Sequence, residues 1–206
     1  MIAVVDYGMG NLRSVQKALQ RVGADARIVH APEQIARADK VVVPGVGAFR
    51  DAIERIRSAA LDAPIREAIG GGKPFLGICL GLQMLFDVSY EDGEFAGLGI
   101  LPGKVVRFDF AGRPDAAALR VPQIGWNGIR WDRSVPILKG LEQGAHVYFC
   151  HSYFAQPADA AIVAATTEYG IPFASAVWKD NVFATQFHPE KSQAVGLTIL
   201  ENFVRL

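Results

Sequence analysis

The sequence predicts an α/β protein built on a mixed, mostly parallel sheet flanked by helices, and three observations carry that reading. Short apolar runs alternate with helical patterns through the first half of the 206 residues, as βαβ units require. The second half turns β-rich, with runs joined by short turns, which predicts antiparallel pairs added to the parallel core. No repeat, low-complexity tract or linker interrupts the chain. Residues 1–206 are therefore expected to form one domain, long enough to bury about 70% of its unfolded surface.

The elements follow in order. Met1-Ile2-Ala3-Val4-Val5 reads as a buried strand, and after Asp6-Tyr7-Gly8-Met9-Gly10 the side chain of Asn11 is expected to N-cap a helix. Leu12, Val15, Leu19 and Val22 share one face of that helix, and Gly23 closes it. A strand over 26–30 and a short helix over 32–38 precede a strand over 40–43, which runs into Pro44-Gly45-Val46-Gly47-Ala48-Phe49. Helices are expected over about 49–57 and 64–69, then a strand over 75–78 and a helical stretch over 80–86. Further β-runs lie at 103–108, 147–150, 162–167, 173–178 and 182–187, with a closing helix over about 193–204.

Composition excludes several classes of function. Lys+Arg and Asp+Glu stand at 21 each, so no net field attracts nucleic acid or an acidic membrane. The expected partner is a small molecule or another protein. Two cysteines are too few for a disulfide framework, and without a signal peptide or transmembrane run the chain reads as cytoplasmic. His30, His146, His151 and His188 show no ligand spacing with each other or with the cysteines, so neither a metal nor a cofactor is expected. Gly70-Gly71-Gly72-Lys73-Pro74 imitates a phosphate loop, but Pro74 stands where a hydroxyl should meet magnesium, and the segment precedes a strand instead of following one.

The chemistry concentrates at Gly77-Ile78-Cys79-Leu80-Gly81, where a thiol between two glycines sits at a strand-to-helix turn. Such an elbow projects its side chain from the top of a parallel sheet, and the helix start favours thiolate over thiol. A buried core cysteine is the alternative. A cysteine nucleophile needs a base and a group that orients the base. His188-Pro189-Glu190 supplies both, with Pro189 biasing His188 toward extended geometry so that the side chains of 188 and 190 leave on one side. His151 is the rival base, without a carboxylate two residues away. The glycine loop Gly45-Val46-Gly47 is a candidate source of oxyanion-hole N–H groups from Val46 and Gly47, alongside the amide of Leu80. Gln83, four residues after Cys79, shares its helical face.

Gly77-Ile78-Cys79-Leu80-Gly81-Leu82-Gln83 together with His188-Pro189-Glu190 resembles the triad class of glutamine amidotransferases. Within that class, Asp6–Asn11, Pro44–Phe49, Gln123-Ile124-Gly125-Trp126-Asn127 and Tyr148–Tyr153 resemble the glutaminase subunits of imidazole glycerol phosphate synthase, over essentially the whole chain. The resemblance implies the class I glutamine amidotransferase fold and hydrolysis of L-glutamine to glutamate and ammonia, with Cys79, His188 and Glu190 as the triad. It further implies a glutamine site that includes Gly45, Gln83, His151, Ser152 and Tyr153. The implied partner is a (β/α)₈ cyclase subunit in a heterodimer of histidine biosynthesis, met by Asn11, Trp126 and Lys191. Gln123 departs from a histidine expected in many relatives, a change that bears on a local partner contact. A glutaminase serving another synthase, a standalone γ-glutamyl hydrolase and a catalytically silent glutamine-binding subunit are the other readings.

Overall fold

The computed structural model describes residues 1–112 and 116–206. Four βα steps open it: β1 (Ile2–Val5), α1 (Leu12–Arg21), β2 (Ala26–Val29), α2 (Pro32–Ala36), β3 (Lys40–Gly45), α3 (Phe49–Ser58), α4 (Asp62–Gly70), β4 (Phe75–Cys79) and α5 (Leu80–Gln83). Strands then dominate: β5 (Phe86–Ser89), β6 (Phe95–Ala96), β7 (Leu101–Arg107), β8 (Gln123–Gly128), β9 (His146–His151), β10 (Tyr153–Pro157), β11 (Val163–Tyr169), β12 (Ile171–Lys179) and β13 (Val182–Thr185). The long helix α6 (Gln193–Val204) closes the order.

The main sheet has seven strands in the order β11-β12-β13-β4-β3-β1-β2. From β2 to β13 every pair is parallel, while β12 and β11 add antiparallel pairs at one edge. Successive side chains of its buried strands enter opposite cores, as the two-residue period dictates. Ile2, Val4 and Val42 meet Val15 and Leu19 of α1 and Ile199, Leu200 and Phe203 of α6. Ala3, Val5, Val41 and Val43 face Ile35, Phe49, Ile53, Ile56 and Ile65 from α2, α3 and α4.

Several expectations need correction. The predicted helical stretch over 80–86 is a single turn ending at Gln83, and Phe86 begins a strand, so the dipole behind Cys79 is that of one turn. The runs at 103–108 and 147–150 do not join the main sheet: β7 pairs with β10 and β5, and β9 forms a separate ribbon with β8. Local pattern marks a strand, yet its partner is set by distant residues, here β8 and β10, which carry weak β signals of their own. The closing Gly23 sits at φ +87°, but Asn11 occupies the N-cap position of α1 without a side-chain hydrogen bond.

Candidate active site

Three parallel strands deliver the site. The register sets Gly45 of β3 opposite Cys79 of β4, and Thr185 of β13 opposite Ile78. Their C-terminal ends converge on one edge, where ligand sites of open α/β sheets form. Cys79 takes φ +55°, a region that a residue with a Cβ occupies only when its surroundings over-determine it. The glycines explain the constraint. A Cβ on Gly81 would lie 1.9 Å from the Val43 carbonyl oxygen, and one on Gly77 would lie 2.7 Å from the Gly81 carbonyl oxygen, so only glycine lets α5 settle onto β3 and β4.

His188 is held on all sides. Its N–H donates to the Tyr148 carbonyl at 2.9 Å, and its carbonyl accepts from the Ser192 hydroxyl at 2.6 Å and the Lys191 N–H at 3.0 Å. Its backbone is extended as expected, but Glu190 returns to the ring by a 3₁₀ turn over Pro189–Lys191, not by strand alternation. The His188 Nδ1 to Glu190 Oε1 distance is 2.9 Å, with both side chains buried. A carboxylate can only accept there, so Nδ1 carries the proton and Nε2 is left for the sulfur. Burial alone would lower the His188 imidazole, but the hydrogen bonds and negative charges of Cys79 and Glu190 outweigh it and push it up to about 10. The second Glu190 oxygen, Oε2, is buried without a hydrogen-bond partner among the described residues.

His151 has a different setting. Its Nδ1 lies 2.8 Å from the Tyr153 carbonyl and its Nε2 lies 3.0 Å from the Gln123 side chain. Since the carbonyl must accept from Nδ1–H, neutral Nε2 needs a donor, which the Gln123 amide supplies when its nitrogen faces the ring. Burial lowers the imidazole to about 4, so it stays neutral. Gln123 is buried and faces this ring.

Val46, Gly47, Cys79, Leu80, Gln83, His151, Ser152, Tyr153, His188 and Lys191 line one cavity of about 230 Å³. Glu190 lies behind His188, outside that lining, and Gly45 is wedged where a Cβ would strike the Tyr7 hydroxyl at 2.3 Å and the Leu80 Cβ at 2.9 Å. Gly47 alone of the two loop glycines has positive φ, at +100°. Gln83 donates to the Tyr153 carbonyl at 2.9 Å and to Gln186 Oε1 at 3.1 Å, leaving its own Oε1 without a hydrogen bond among the described residues. Asn11 and Trp126 lie outside the cavity. Trp126 is 47% exposed and meets Tyr148 edge-on at 6.1 Å, while Lys191 Nζ sits 5.7 Å from the same Tyr148 ring.

Sequence reasoning missed three residues here. Glu91, half-buried, accepts the Phe49 N–H at 2.8 Å and lines the cavity, with its carboxyl raised mainly by burial. Cys150, given no role in the sequence, is exposed near the end of β9 and lines the same cavity. Gln186 is fully buried and donates to Cys79 Sγ at 3.6 Å. Its position two residues before His188 was the available signal. Among the described residues, no cluster of His, Cys, Asp and Glu is arranged to hold a metal ion, and no helix is long and apolar enough to cross a membrane.

The glutamine amidotransferase class-I family profile matches residues 3–206. An imidazole glycerol phosphate synthase subunit HisH from Syntrophotalea carbinolica is 55% identical over 203 residues, covering 98% of each chain. The HisH subunit of Geobacter metallireducens is 52% identical over 202 residues, covering 98% of this chain and 96% of that one. Among solved structures, a glutamine amidotransferase matches with a TM-score of 0.76 at 21% identity over 100% of both chains. PurLQS from Thermotoga maritima matches with a TM-score of 0.76 at 19% identity over 99% of this chain and 97% of that one, a likeness of fold. The chain thus belongs to the class-I glutamine amidotransferases and, within them, to the family of imidazole glycerol phosphate synthase HisH subunits.

Proposed function

We propose that residues 1–206 act as one glutaminase domain, the subunit of imidazole glycerol phosphate synthase that hydrolyses L-glutamine and passes ammonia to a (β/α)₈ cyclase subunit in histidine biosynthesis. The observation that carries this reading is the convergence of Cys79, at positive φ, with the His188–Glu190 pair at one cavity, in a chain so close to HisH subunits along its length.

With His188 pushed up to about 10, the ring favours the imidazolium, and the attacking form of the Cys79 sulfur is the thiolate that pairs with it. Cys79 Sγ adds to the side-chain amide carbon of glutamine. Charge builds on the amide oxygen, for which the amides of Leu80, Val46 and Gly47, all in the cavity lining, are the proposed donors. Consuming the thiolate charge removes what held the His188 proton, so His188 gives it to the departing ammonia. A γ-glutamyl thioester remains. His188 then takes a proton from water, hydroxide attacks the thioester, and glutamate leaves as the thiolate–imidazolium pair re-forms. Glu190 supports the ring throughout. Glu91 and the free Oε1 of Gln83 are the acceptors in the cavity suited to the α-ammonium of glutamine, with Gly45, His151, Ser152 and Tyr153 shaping its wall.

Trp126, Lys191 and Asn11 are the proposed partner contacts, with Lys191 directly after the triad in sequence. The test is to mix the purified chain with a cyclase subunit and its nucleotide substrate. Glutamine-dependent formation of imidazole glycerol phosphate, with glutamate released in equal amount, is expected. Glutamate release that is indifferent to the cyclase would favour a standalone hydrolase.

A further inference from the structure

We propose that Gln186 is a positioning residue that holds the Cys79 sulfur as thiolate and ties its setting to Gln83 in the wall of the glutamine cavity; this rests on the reading of Cys79 as nucleophile. The side chain starts from a pinned backbone. The Gln186 N–H donates to the Ser175 carbonyl at 2.9 Å, the neighbouring Thr185 hydroxyl donates to the Phe187 carbonyl at 3.0 Å, and the His188 N–H donates to Tyr148. The residue is wholly buried, so its amide has no water to turn toward.

The direction of the amide follows from one atom whose role is beyond doubt. The Tyr153 carbonyl oxygen accepts only, so the Gln83 atom 2.9 Å away must be the amide nitrogen. That same nitrogen lies 3.1 Å from Gln186, which must therefore present its oxygen to Gln83. The nitrogen of Gln186 is thereby left facing Sγ at 3.6 Å, a normal separation for an N–H donating to sulfur. A backbone carbonyl in the cavity wall thus fixes, through two glutamine amides, which end of Gln186 the nucleophile sees.

An N–H aimed at sulfur stabilises the negative form over the neutral one. His188 also does this, but His188 must part with its proton during the reaction. Gln186 cannot, since an amide does not ionise in this range, so its donor persists through every step. Holding a thiolate also makes it a slightly weaker nucleophile, because nucleophilicity falls with basicity along a shallow slope. This trade-off gives a signature that mere structural support lacks.

The experiment is alkylation of Cys79 by iodoacetamide in the full chain over a pH series, followed peptide by peptide in a mass spectrometer so that Cys150 is counted separately. Gln186→Met keeps the bulk and removes the donor. The pH of half-maximal alkylation should rise by about one unit or more, as losing a hydrogen bond to a charged group implies. The rate on the alkaline plateau should equal or exceed that of the unsubstituted chain. Gln186→Glu keeps an acceptor for Gln83 but sets a carboxylate against the sulfur, and its midpoint should rise further. An unmoved midpoint in a folded variant, or a lowered plateau at a fixed midpoint, overturns the proposal. A readout on the unsubstituted chain covers variants that fail to fold. The Gln186 side-chain ¹⁵N resonance should titrate with the alkylation midpoint, and a flat resonance counts against it. Neither readout involves glutamate release, so failure to hydrolyse glutamine would sink the functional reading without moving these results.

Discussion

Cys79 at φ +55° and His188, its imidazole pushed up to about 10 between Cys79 and Glu190, define what single substitutions should do. Cys79→Ala should abolish glutamate release while leaving the fold intact. Glu190→Gln should fold normally yet lose about 10²–10⁴ in turnover, because an amide nitrogen facing Nδ1 favours the wrong tautomer and withdraws support from the imidazolium. A steady-state glutamate assay checks both; a wild-type rate in Glu190→Gln would make Glu190 a bystander. His151 supports a prediction about stability. Its folded value of about 4 lies below the ordinary 6.5, so between them the unfolded chain binds a proton that the folded chain refuses. Stability should therefore fall as pH drops through that window, by on the order of 1 kcal/mol per unit, and less steeply in His151→Gln; urea unfolding at several pH values measures it. At this scale the sequence was most legible where glycine, proline and charge stand at fixed spacing, as around Cys79 and His188. Glu91 was illegible because nothing local to it shows that it meets Phe49, and the one local sign for Gln186, its place two residues before His188, does not by itself show that it reaches Cys79.

At the scale of elements, the elbow depends on how closely α5 lies on β3. Gly81→Ala would drive a Cβ to 1.9 Å from the Val43 carbonyl, a backbone clash that no rotamer relieves, and should cost about 3 kcal/mol or more. Gly23→Ala is the control. That glycine has φ +87° but open space around it, so the cost should be only the left-handed backbone term, about 1–2 kcal/mol. Denaturant titration of the two variants separates clash from conformation, and equal losses would refute the distinction. The βα order of the first half was readable because each strand and helix carries its own period. The stretch after Gln83 was misread as helix because Leu82, Leu85 and Phe86 imitate a helical face, while the strand there is imposed by pairing with β7. The division of the second half into three sheets was equally unreadable, since it resides in contacts between segments far apart in sequence.

For the whole molecule, the proposed partner face and the cavity share the β8–β9 ribbon and the turn that follows His188. Tyr148 meets both Trp126 and Lys191, and its carbonyl receives the His188 N–H, so pressure on the outer face reaches the triad through one residue. Glutamate release by the isolated chain should accordingly be low and rise at least about 10²-fold with the cyclase subunit and its nucleotide, the typical worth of one oxyanion donor gained at Val46 beside the permissive Gly47. Trp126→Ala should weaken that activation, and full turnover without the partner would rule the gating out. The presence of Cys150 in the cavity also bears on how active enzyme is counted. A small, indiscriminate thiol reagent will add to both cysteines, so intact-mass stoichiometry near two per chain says nothing of how many sites are competent. A glutamine-shaped electrophile, oriented by Gln83 and Glu91, should stop at one adduct per competent chain, which makes the difference between the two stoichiometries a direct assay of the fraction of chains that bind substrate.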